Sequence, residues 1–120
     1  MSMRRRGEIW LADLNPRRGT EAGKTRPVVV VQAQALLDAE HPSTLIVPLT
    51  TQLVDEAAPL RIRIPAAGKL KKDSDALVDQ VRAIDNARLV QGPLSRLRPQ
   101  ELRALDHALL DVFDLPAVRA

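Results

Sequence analysis

The stretch at 15–32, N-P-R-R-G-T-E-A-G-K-T-R-P-V-V-V-V-Q, joins a long polar loop to the most strongly β-forming run in the chain. The four valines at 28–31 predict a strand that is buried on both faces, because β-branched side chains suit the pleat and no polar residue interrupts them. Pro27 lacks an N–H, which predicts that the strand begins at this residue. Arg26 is therefore expected where a basic loop meets a rigid core strand, a favourable position for a functional cation.

The loop before this strand is basic and contains Glu21 as its one carboxylate. Its cations are Arg17, Arg18, Lys24 and Arg26. The chain carries a net charge of +3, but residues 1–27 hold seven cations against three anions, whereas residues 99–114 hold one cation against four anions. This asymmetry predicts one face that attracts a polyanion and an acidic face that is only solvated. A basic tail on an ordinary soluble surface is the alternative that charge alone leaves open.

Composition limits the class of protein further. A chain of 120 residues with 45% apolar and 28% charged residues predicts one soluble globular domain that spans residues 1–120. Trp10 and Phe113 are its only aromatic residues, which excludes the aromatic stacking platforms of many RNA-binding modules. Trp10 is expected in the core or at an interface. Any contact with nucleic acid would therefore depend on arginine, lysine and backbone donors.

The sequence also lacks the residues of several other kinds of site. It contains no cysteine, and its two histidines, His41 and His107, are far apart, so thiol chemistry is excluded and neither a metal site nor a cofactor is expected. It contains no Walker loop, nucleophile elbow or dinucleotide-binding motif. No run of about 18 apolar residues and no apolar signal segment is present, which predicts a cytoplasmic protein that does not bind membranes.

Hydrophobic periodicity predicts a mainly β chain (α+β) that ends in a helix. Strands are predicted at 8–14, 28–31, 44–51, 60–64, 76–84 with an interruption at 79–80, and 89–93, and a helical turn is predicted at 33–39. Pro48 predicts a bulge or an edge position near the end of the third of these strands. Pro99 suits the first helical position, and Leu102, Leu105 and Leu109 share one face of a helix at 99–113. These elements favour a compact, curved sheet or a small barrel.

The polar groups that could converge in such a fold suit phosphate chemistry better than peptide or ester chemistry. They are Glu21, Arg26, Thr50, Gln52, Asp79 and Gln80. RNA cleavage without a metal requires that the 2′-hydroxyl loses its proton, that the charge on the phosphate is stabilised and that the 5′-oxygen gains a proton. Arg26 could donate two hydrogen bonds to the phosphate, and Thr50 could hydrogen-bond the phosphate or the 2′-hydroxyl. Glu21 or Asp79 would be the natural candidates for proton transfer.

The residues alone favour a purely structural alternative for the same set. In that interpretation an arginine and a glutamate form a surface pair, the threonine caps its own strand, and the Asp79 and Gln80 side chains form a buried hydrogen bond.

Five segments, in this order, resemble the MazF/PemK family of type II toxin–antitoxin toxins. They are R-R-G-E-I-W-L-A-D-L-N-P at 5–16, G-T-E-A-G-K-T-R-P-V-V-V-V at 19–31, V-P-L-T-T-Q at 47–52, D-Q-V-R-A-I-D at 79–85, and the terminal helix. The resemblance extends over residues 4–115. The first two segments together are quite specific, whereas each alone would be weak.

The resemblance implies an SH3-like/CcdB-like small β-barrel with a C-terminal helix that works as a homodimer. Members of the family typically act as metal-independent, sequence-specific endoribonucleases (mRNA interferases) that inhibit translation and growth. They cut single-stranded RNA and usually leave a 2′,3′-cyclic phosphate and a 5′-hydroxyl. A cognate, MazE-like antitoxin blocks them, and the toxin is expected to reach promoter DNA through the antitoxin complex.

The resemblance also implies site residues. The family's usual catalytic arginine and threonine match Arg26 and Thr50, and the loop glutamate matches Glu21, so these three are the expected catalytic residues. The residues expected to bind RNA are Arg17, Arg18, Thr20, Lys24, Thr25, Thr51, Gln52, Asp79 and Gln80. The sequence departs from the family at Thr25, where relatives often carry histidine, and at Leu77, where one branch carries an arginine. These departures place the main catalytic burden on Arg26 and Thr50.

Two other functions stay open on the sequence. A CcdB-like toxin of the same fold would inhibit DNA gyrase by binding, although the intact R-P and P-L-T-T-Q segments argue against it. A catalytically inactive module would bind the antitoxin and help to regulate their promoter. Cleavage of RNA would separate the leading hypothesis from both.

Overall fold

The valines at 28–30 belong to an antiparallel sheet of seven strands, in a computed structural model that describes residues 4–116. In chain order the strands and helices are β1 (Glu8–Asp13), β2 (Thr25–Val30), α1 (Gln34–Asp38), β3 (Ser43–Thr50), β4 (Arg61–Ile64), β5 (Ser74–Leu77), β6 (Arg82–Asp85), β7 (Leu89–Arg96) and α2 (Pro99–Phe113). Two 3₁₀ turns, Val78–Gln80 and Asn86–Arg88, precede β6 and β7. The predicted mainly β fold with a terminal helix is confirmed.

The sheet is organised around β3, which joins its two parts. The strands follow the order β4-β5-β3-β2-β1-β7, and β6 pairs with β3 outside this path. One side of β3 pairs with β2, while its other side pairs with β6 through residues 43–46 and with β5 through residues 49–50. Within residues 4–116 no pairing joins β7 to β4, so the predicted barrel is open rather than closed.

Strand β2 contributes side chains to two cores, one on each face of the sheet. Val28, Val29 and Val30 are all fully buried, which confirms the predicted strand. Val29 packs in the cluster that contains Leu105 of α2, whereas Val28 and Val30 pack in a second cluster with Trp10. A shift of one residue would exchange these faces, so the register of β2 is strongly specified.

The prediction that Pro27 begins its strand is wrong. β2 begins at Thr25, so Pro27 is its third residue. Pairing with β1 extends from Thr25 onward, but pairing with β3 begins only at Val28. The proline therefore lies in the part of β2 that is not yet paired with β3, where its missing N–H breaks no existing bond.

The prediction of a bulge or an edge position at Pro48 is also wrong. Pro48 lies inside the sheet, directly opposite Val28 in a continuous register. Successive residues of β3 point their N–H and C=O groups alternately toward β2 and away from it. Leu45 points toward β2, because its carbonyl accepts the Val31 N–H. Pro48, three residues later, therefore points its nitrogen away from β2. On that side Pro48 falls between the residues that pair with β6 and those that pair with β5, so no ladder bond is lost.

Helix α2 packs its apolar face onto the sheet, as its spacing predicts, with Leu105 fully buried. The Glu101 carboxylate accepts the Arg98 N–H at 2.8 Å, which satisfies a donor at the start of the helix. Arg6 donates to both carboxylate oxygens of Asp106, at 2.7 and 3.1 Å. The predicted acidic, merely solvated face is therefore wrong at Asp106, which links the helix to the segment before β1.

Besides β2, two of the predicted strands differ from the observed strands by more than one residue. The strand predicted at 76–84 is two strands, β5 and β6, because the 3₁₀ turn Val78–Gln80 interrupts the extended backbone. β7 continues to Arg96, beyond the predicted end at 93. Among the residues from 4 to 116, no helix is both long and apolar enough to cross a membrane.

Replacing Leu105 by Ala should lower the free energy of unfolding by about 3 kcal/mol, because a fully buried leucine leaves a cavity between α2 and the sheet. Urea denaturation followed by circular dichroism would measure the change. Arg103→Ala, an exposed position on the same helix, is the control and should stay within about 0.5 kcal/mol of the wild type. Equal effects of the two substitutions would contradict this packing.

Candidate active site

A cleft of about 500 Å³ opens between the basic loop (residues 14–24) and the ends of β3 and β4. Most of the predicted site residues line it, namely Arg17, Thr20, Glu21, Lys24, Thr25, Arg26, Thr50, Thr51, Gln52 and Gln80. Arg61 on β4 also lines it, although the sequence did not predict this. The lining therefore combines four cations with one carboxylate, a balance that attracts an anion.

Two residues that were expected to bind RNA lie outside this lining. Arg18 is exposed on the basic loop, and Asp79 is exposed on the 3₁₀ turn before β6. The part of Arg18 that supports the loop is its carbonyl, which accepts the Glu21 N–H at 3.0 Å. Of the two carboxylates considered for proton transfer, only Glu21 lies in the cleft.

Arg26 and Thr50 both line the cleft, next to the point where β2 and β3 begin to pair. The β2–β3 pairing runs from Val28, opposite Pro48, to Val30, opposite Ile46. Arg26 precedes this paired segment and Thr50 follows it, and Arg26 Nη1 reaches the carbonyl of Leu49, the neighbour of Thr50. A guanidinium and a hydroxyl are therefore both presented to the same cleft.

The proline after Arg26 frees a backbone acceptor that orients the guanidinium. Val31 N–H donates to Leu45 O at 3.0 Å. The β2–β3 pairing begins at Val28, and if its alternation continued by one residue, the nitrogen of residue 27 would be directed toward Leu49 O. Pro27 has no N–H to donate to Leu49 O. Arg26 Nη1 donates to this carbonyl instead, at 3.3 Å.

A second carbonyl holds Arg26 without neutralising it. Arg26 Nε donates to Gly23 O at 2.8 Å. Gly23 approaches Arg17 so closely that a Cβ would lie 2.5 Å from the Arg17 Cβ, which favours glycine at this position. Burial lowers the pKa of Arg26 from its ordinary value, and the charge of Arg17 lowers it further. Arginine nevertheless stays charged at neutral pH, so this partly buried cation is available to an anion.

Thr50 combines a structural role with a possible chemical role. It ends β3, and its Oγ1 accepts the Gln52 N–H at 3.2 Å, which is the capping role that the residues alone favour. On the other side of β3, Thr50 pairs with Asp75 of β5. Because a hydroxyl that accepts a hydrogen bond keeps its own proton to donate, Thr50 retains a donor for a ligand.

Gln80 fixes the basic loop against the sheet. Its Oε1 accepts the Ala22 N–H at 2.7 Å, and its Nε2 donates to Thr20 O at 3.1 Å. Both halves of the amide are therefore bonded to the loop, in place of the predicted bond to Asp79. Glu21 lies between these two contacts with its carboxylate 3.7 Å from Arg82. The surface pair expected in the structural alternative thus forms with Arg82 rather than with Arg26.

A buried carboxylate supports the opposite wall of the cleft, and the sequence did not predict it. Asp75 is 1% exposed and accepts hydrogen bonds from Val54 N–H at 2.8 Å, Arg63 Nε at 2.6 Å and Arg61 Nη1 at 3.4 Å. Burial raises the pKa of Asp75, but the bonds from Arg63 and Val54 outweigh this effect, so that the pKa lies below its ordinary value. Asp75 therefore holds the loop at 51–60 as an ionised group.

The chain and its fold match known proteins. A family model described as "PemK-like, MazF-like toxin of type II toxin-antitoxin system" matches residues 5–113. Endoribonuclease MazF9 of Mycobacterium tuberculosis (strain ATCC 25618 / H37Rv) is 37% identical over 117 residues, which cover 94% of this chain and 98% of that protein.

Solved structures share the fold at lower identity. The Mycobacterium tuberculosis toxin MazF-mt6 matches with a TM-score of 0.75 and 21% identity, over 92% of this chain and 99% of that chain. MazF of Deinococcus radiodurans matches with a TM-score of 0.74 and 19% identity, over 91% and 94%. An endoribonuclease from Mycobacterial species, in complex with its cognate antitoxin, matches with a TM-score of 0.71 and 19% identity, over 98% and 100%. At these identities the likeness shows the fold alone.

Replacing Pro27 by Ala should loosen the Arg26 guanidinium, because a new N–H opposite Leu49 O would compete with Arg26 Nη1 for this carbonyl. ¹⁵N relaxation of the arginine side chains should then show a lower order parameter for the Arg26 Nη1–H vectors, since Nη1 is the group that loses its acceptor. Arg88, whose Nη1 donates to Asp13 O at 2.9 Å, is the internal reference and should not change. An unaltered order parameter at Arg26 would mean that the proline does not hold the guanidinium in place.

Replacing Asp75 by Asn should lower the free energy of unfolding by about 1–2 kcal/mol at neutral pH, because two partly exposed arginines lose their charged hydrogen-bond acceptor. The folded-state pKa of Asp75 lies below its unfolded value, so its charge stabilises the fold above about pH 4 and this contribution disappears as the pH falls through the folded-state pKa.

Urea denaturation from pH 7 to pH 3 would check this effect. The stability difference between wild type and Asp75→Asn should be constant above about pH 4 and shrink below it. Asp73→Asn is the control, since the exposed Asp73 accepts a bond from Ala66 N–H at 2.8 Å and lies outside the arginine network. A difference that does not depend on pH would contradict an ionised Asp75.

Proposed function

This chain belongs to the family of PemK-like, MazF-like toxins of type II toxin–antitoxin systems, and on that premise we propose that it is an endoribonuclease that cuts single-stranded RNA without a metal ion. The observation that carries this proposal is that Arg26 and Thr50 lie together in a cleft lined by four cations and one carboxylate. Such a cleft suits a chain of phosphates. The name of the relative MazF9, an endoribonuclease, supports the same activity.

The proposed reaction uses the 2′-hydroxyl of the RNA as its nucleophile. This oxygen attacks the adjacent phosphorus, the bond to the 5′-oxygen breaks, and the products carry a 2′,3′-cyclic phosphate and a 5′-hydroxyl. Arg26 donates hydrogen bonds to the non-bridging oxygens, where negative charge grows in the transition state. The Thr50 hydroxyl donates a hydrogen bond to the same phosphate. Glu21 accepts the proton of the 2′-hydroxyl. Because the cleft is open to solvent, water supplies the proton of the leaving oxygen.

The remaining lining residues bind the RNA strand in this proposal. Arg17 and Lys24 bind phosphates next to the one that is cut. The hydrogen-bonding groups that meet sugars and bases are those of Thr20, Thr25, Thr51 and Gln52. Among the described residues no aromatic side chain lines the cleft, so bases are recognised by hydrogen bonds rather than by stacking. Gln80 acts by holding the basic loop, and Arg18 and Asp79 have no part in this assignment.

The proposal extends to the partners and the location of the toxin. We expect a homodimer in the cytoplasm that is blocked by an acidic, MazE-like antitoxin tail and reaches promoter DNA through the antitoxin complex. Related folds include a MazE–MazF structure from Deinococcus radiodurans. Leu53, Val54 and Leu60 are exposed in the loop that follows Gln52, so an aliphatic surface adjoins the basic cleft. An amphipathic acidic tail matches both surfaces.

Purified wild-type protein should cut a long single-stranded RNA into discrete fragments with 5′-hydroxyl ends in the presence of EDTA. Arg26→Ala and Thr50→Ala should each lower the rate of cleavage on the order of 10²–10³-fold, because each removes a donor to the developing charge. Gel analysis of fragments and labelling of their 5′ ends would measure both. Arg103→Ala, on α2 and away from the cleft lining, is the matched control for the loss of one arginine.

Other outcomes would favour other functions. If well-folded wild-type protein leaves several different RNAs intact, the proposal fails. Inhibition of DNA gyrase by the same preparation would then support a CcdB-like toxin. Binding of an antitoxin without either activity would support the inactive regulatory module.

A further inference from the structure

Arg61 reaches the cleft from the wall opposite the basic loop. Three of the four cations in the lining come from residues 17–26, whereas Arg61 comes from β4. Strand β4 pairs with β5, and β5 pairs with the end of β3 at Thr50. The Arg61 side chain is 26% exposed, so it is partly packed yet open to the cleft.

One nitrogen of Arg61 is held by the protein. Arg61 Nη1 donates to Gln52 O at 2.8 Å and to Asp75 Oδ2 at 3.4 Å. Both bonds use Nη1, so within residues 4–116 the Nε and Nη2 groups of Arg61 donate to no protein acceptor. An arginine that is anchored through one nitrogen keeps donors for a bidentate contact with a phosphate.

Arg63, the next residue on the same face of β4, uses its donors inside the protein. Its Nε donates to Asp75 Oδ1 at 2.6 Å, and its Nη2 donates to Asp55 at 2.7 Å. Arg63 is the closer partner of Asp75, and it does not line the cleft. The charge of Asp75 is therefore directed mainly to Arg63, which leaves the charge of Arg61 less compensated and facing the cleft.

We infer that Arg61 binds a second phosphate of the RNA strand, on the far side of Thr50 and Gln52 from the basic loop. This inference rests on the proposed function and adds a binding residue to it. A strand that passes between the two walls would meet Arg17 and Lys24 on one side and Arg61 on the other. Asp75 and Gln52 O pre-orient Arg61, so less side-chain freedom is lost when the phosphate binds.

Salt dependence of binding would test this contact. The probe is a fluorescein-labelled, mixed-sequence 2′-O-methyl RNA, which has no free 2′-hydroxyl and cannot be cut, titrated by anisotropy at several NaCl concentrations. Each phosphate contact on a single strand contributes about 0.7 to the slope of log K against log salt. Arg61→Ala should lower the slope by about 0.7 and weaken binding about tenfold at moderate salt. Arg61→Lys should keep the slope.

Arg63→Ala is the matched control, because it also removes an arginine from β4 and a partner from Asp75 but lies outside the cleft lining. It should keep the wild-type slope. If Arg61→Ala does not fold, Arg61→Gln takes its place, since a glutamine amide can still donate to Gln52 O. An unchanged slope in the Arg61 variant, or an equal loss in Arg63→Ala, would overturn the inference.

Cleavage by the wild type separates failure of this inference from failure of the proposed function. If wild-type protein cuts RNA and Arg61→Ala shows the same dependence of log K on log salt as the wild type, only the assignment of Arg61 is wrong. If wild-type protein neither cuts RNA nor binds the probe, both the proposed function and the assignment are wrong.

Discussion

The hydrogen bond from Arg26 Nη1 to Leu49 O is the contact on which the cleft depends. It forms where the β2–β3 pairing ends, just before Val28, and residue 27 is a proline without an N–H that could compete for Leu49 O. Leu49 O is therefore satisfied by the arginine side chain rather than by a backbone N–H of β2. This bond ties the guanidinium at the end of the basic loop to the core strand β3.

Both walls of the cleft are supported by the short segment at 74–80. At its start, Asp75 accepts hydrogen bonds from the backbone and arginines of the loop at 51–60 and β4. At its end, Gln80 bonds to two backbone groups of the basic loop. These polar contacts lie beside a core in which Ala76 and Val78 are fully buried. A segment that is fixed in the core thus sets the position of two loops that lie on the surface, which is how rigid elements usually position binding groups.

The parts of the fold that the sequence predicted are those with strong local patterns. The valine run and the amphipathic helix depend on β-branched composition and on periodicity, so the existence of β2 and the bounds of α2 were predicted correctly, whereas β2 begins three residues before the valine run. The arginine of the R-P segment and the threonine of the P-L-T-T-Q segment were predicted from resemblance, and the structure brings both to the same cleft. Their catalytic roles stay predictions until they are measured.

The features that the sequence did not predict depend on contacts distant in sequence. Nothing local joins Asp75 to Arg61, because their proximity depends on the β4–β5 register. Arg17 and Arg18 are neighbours in the same loop, and only the folded loop shows that Arg17 alone lines the cleft. The positions of Pro27 and Pro48 were predicted from the general avoidance of proline inside sheets. That rule ignores the fact that only every second N–H of a strand points toward a given neighbouring strand, so a proline can stand at a position between them.

The most direct test of this account is to locate the bound RNA by NMR. Backbone amide and arginine Nε signals of ¹⁵N-labelled protein would be followed during titration with an uncleavable 2′-O-methyl RNA. The account predicts the largest shifts at Arg26 Nε and at the amides of Thr50 to Gln52, with little change along α2. Shifts concentrated on α2 or on the lysine-rich loop at 66–72, with Arg26 unaffected, would contradict it.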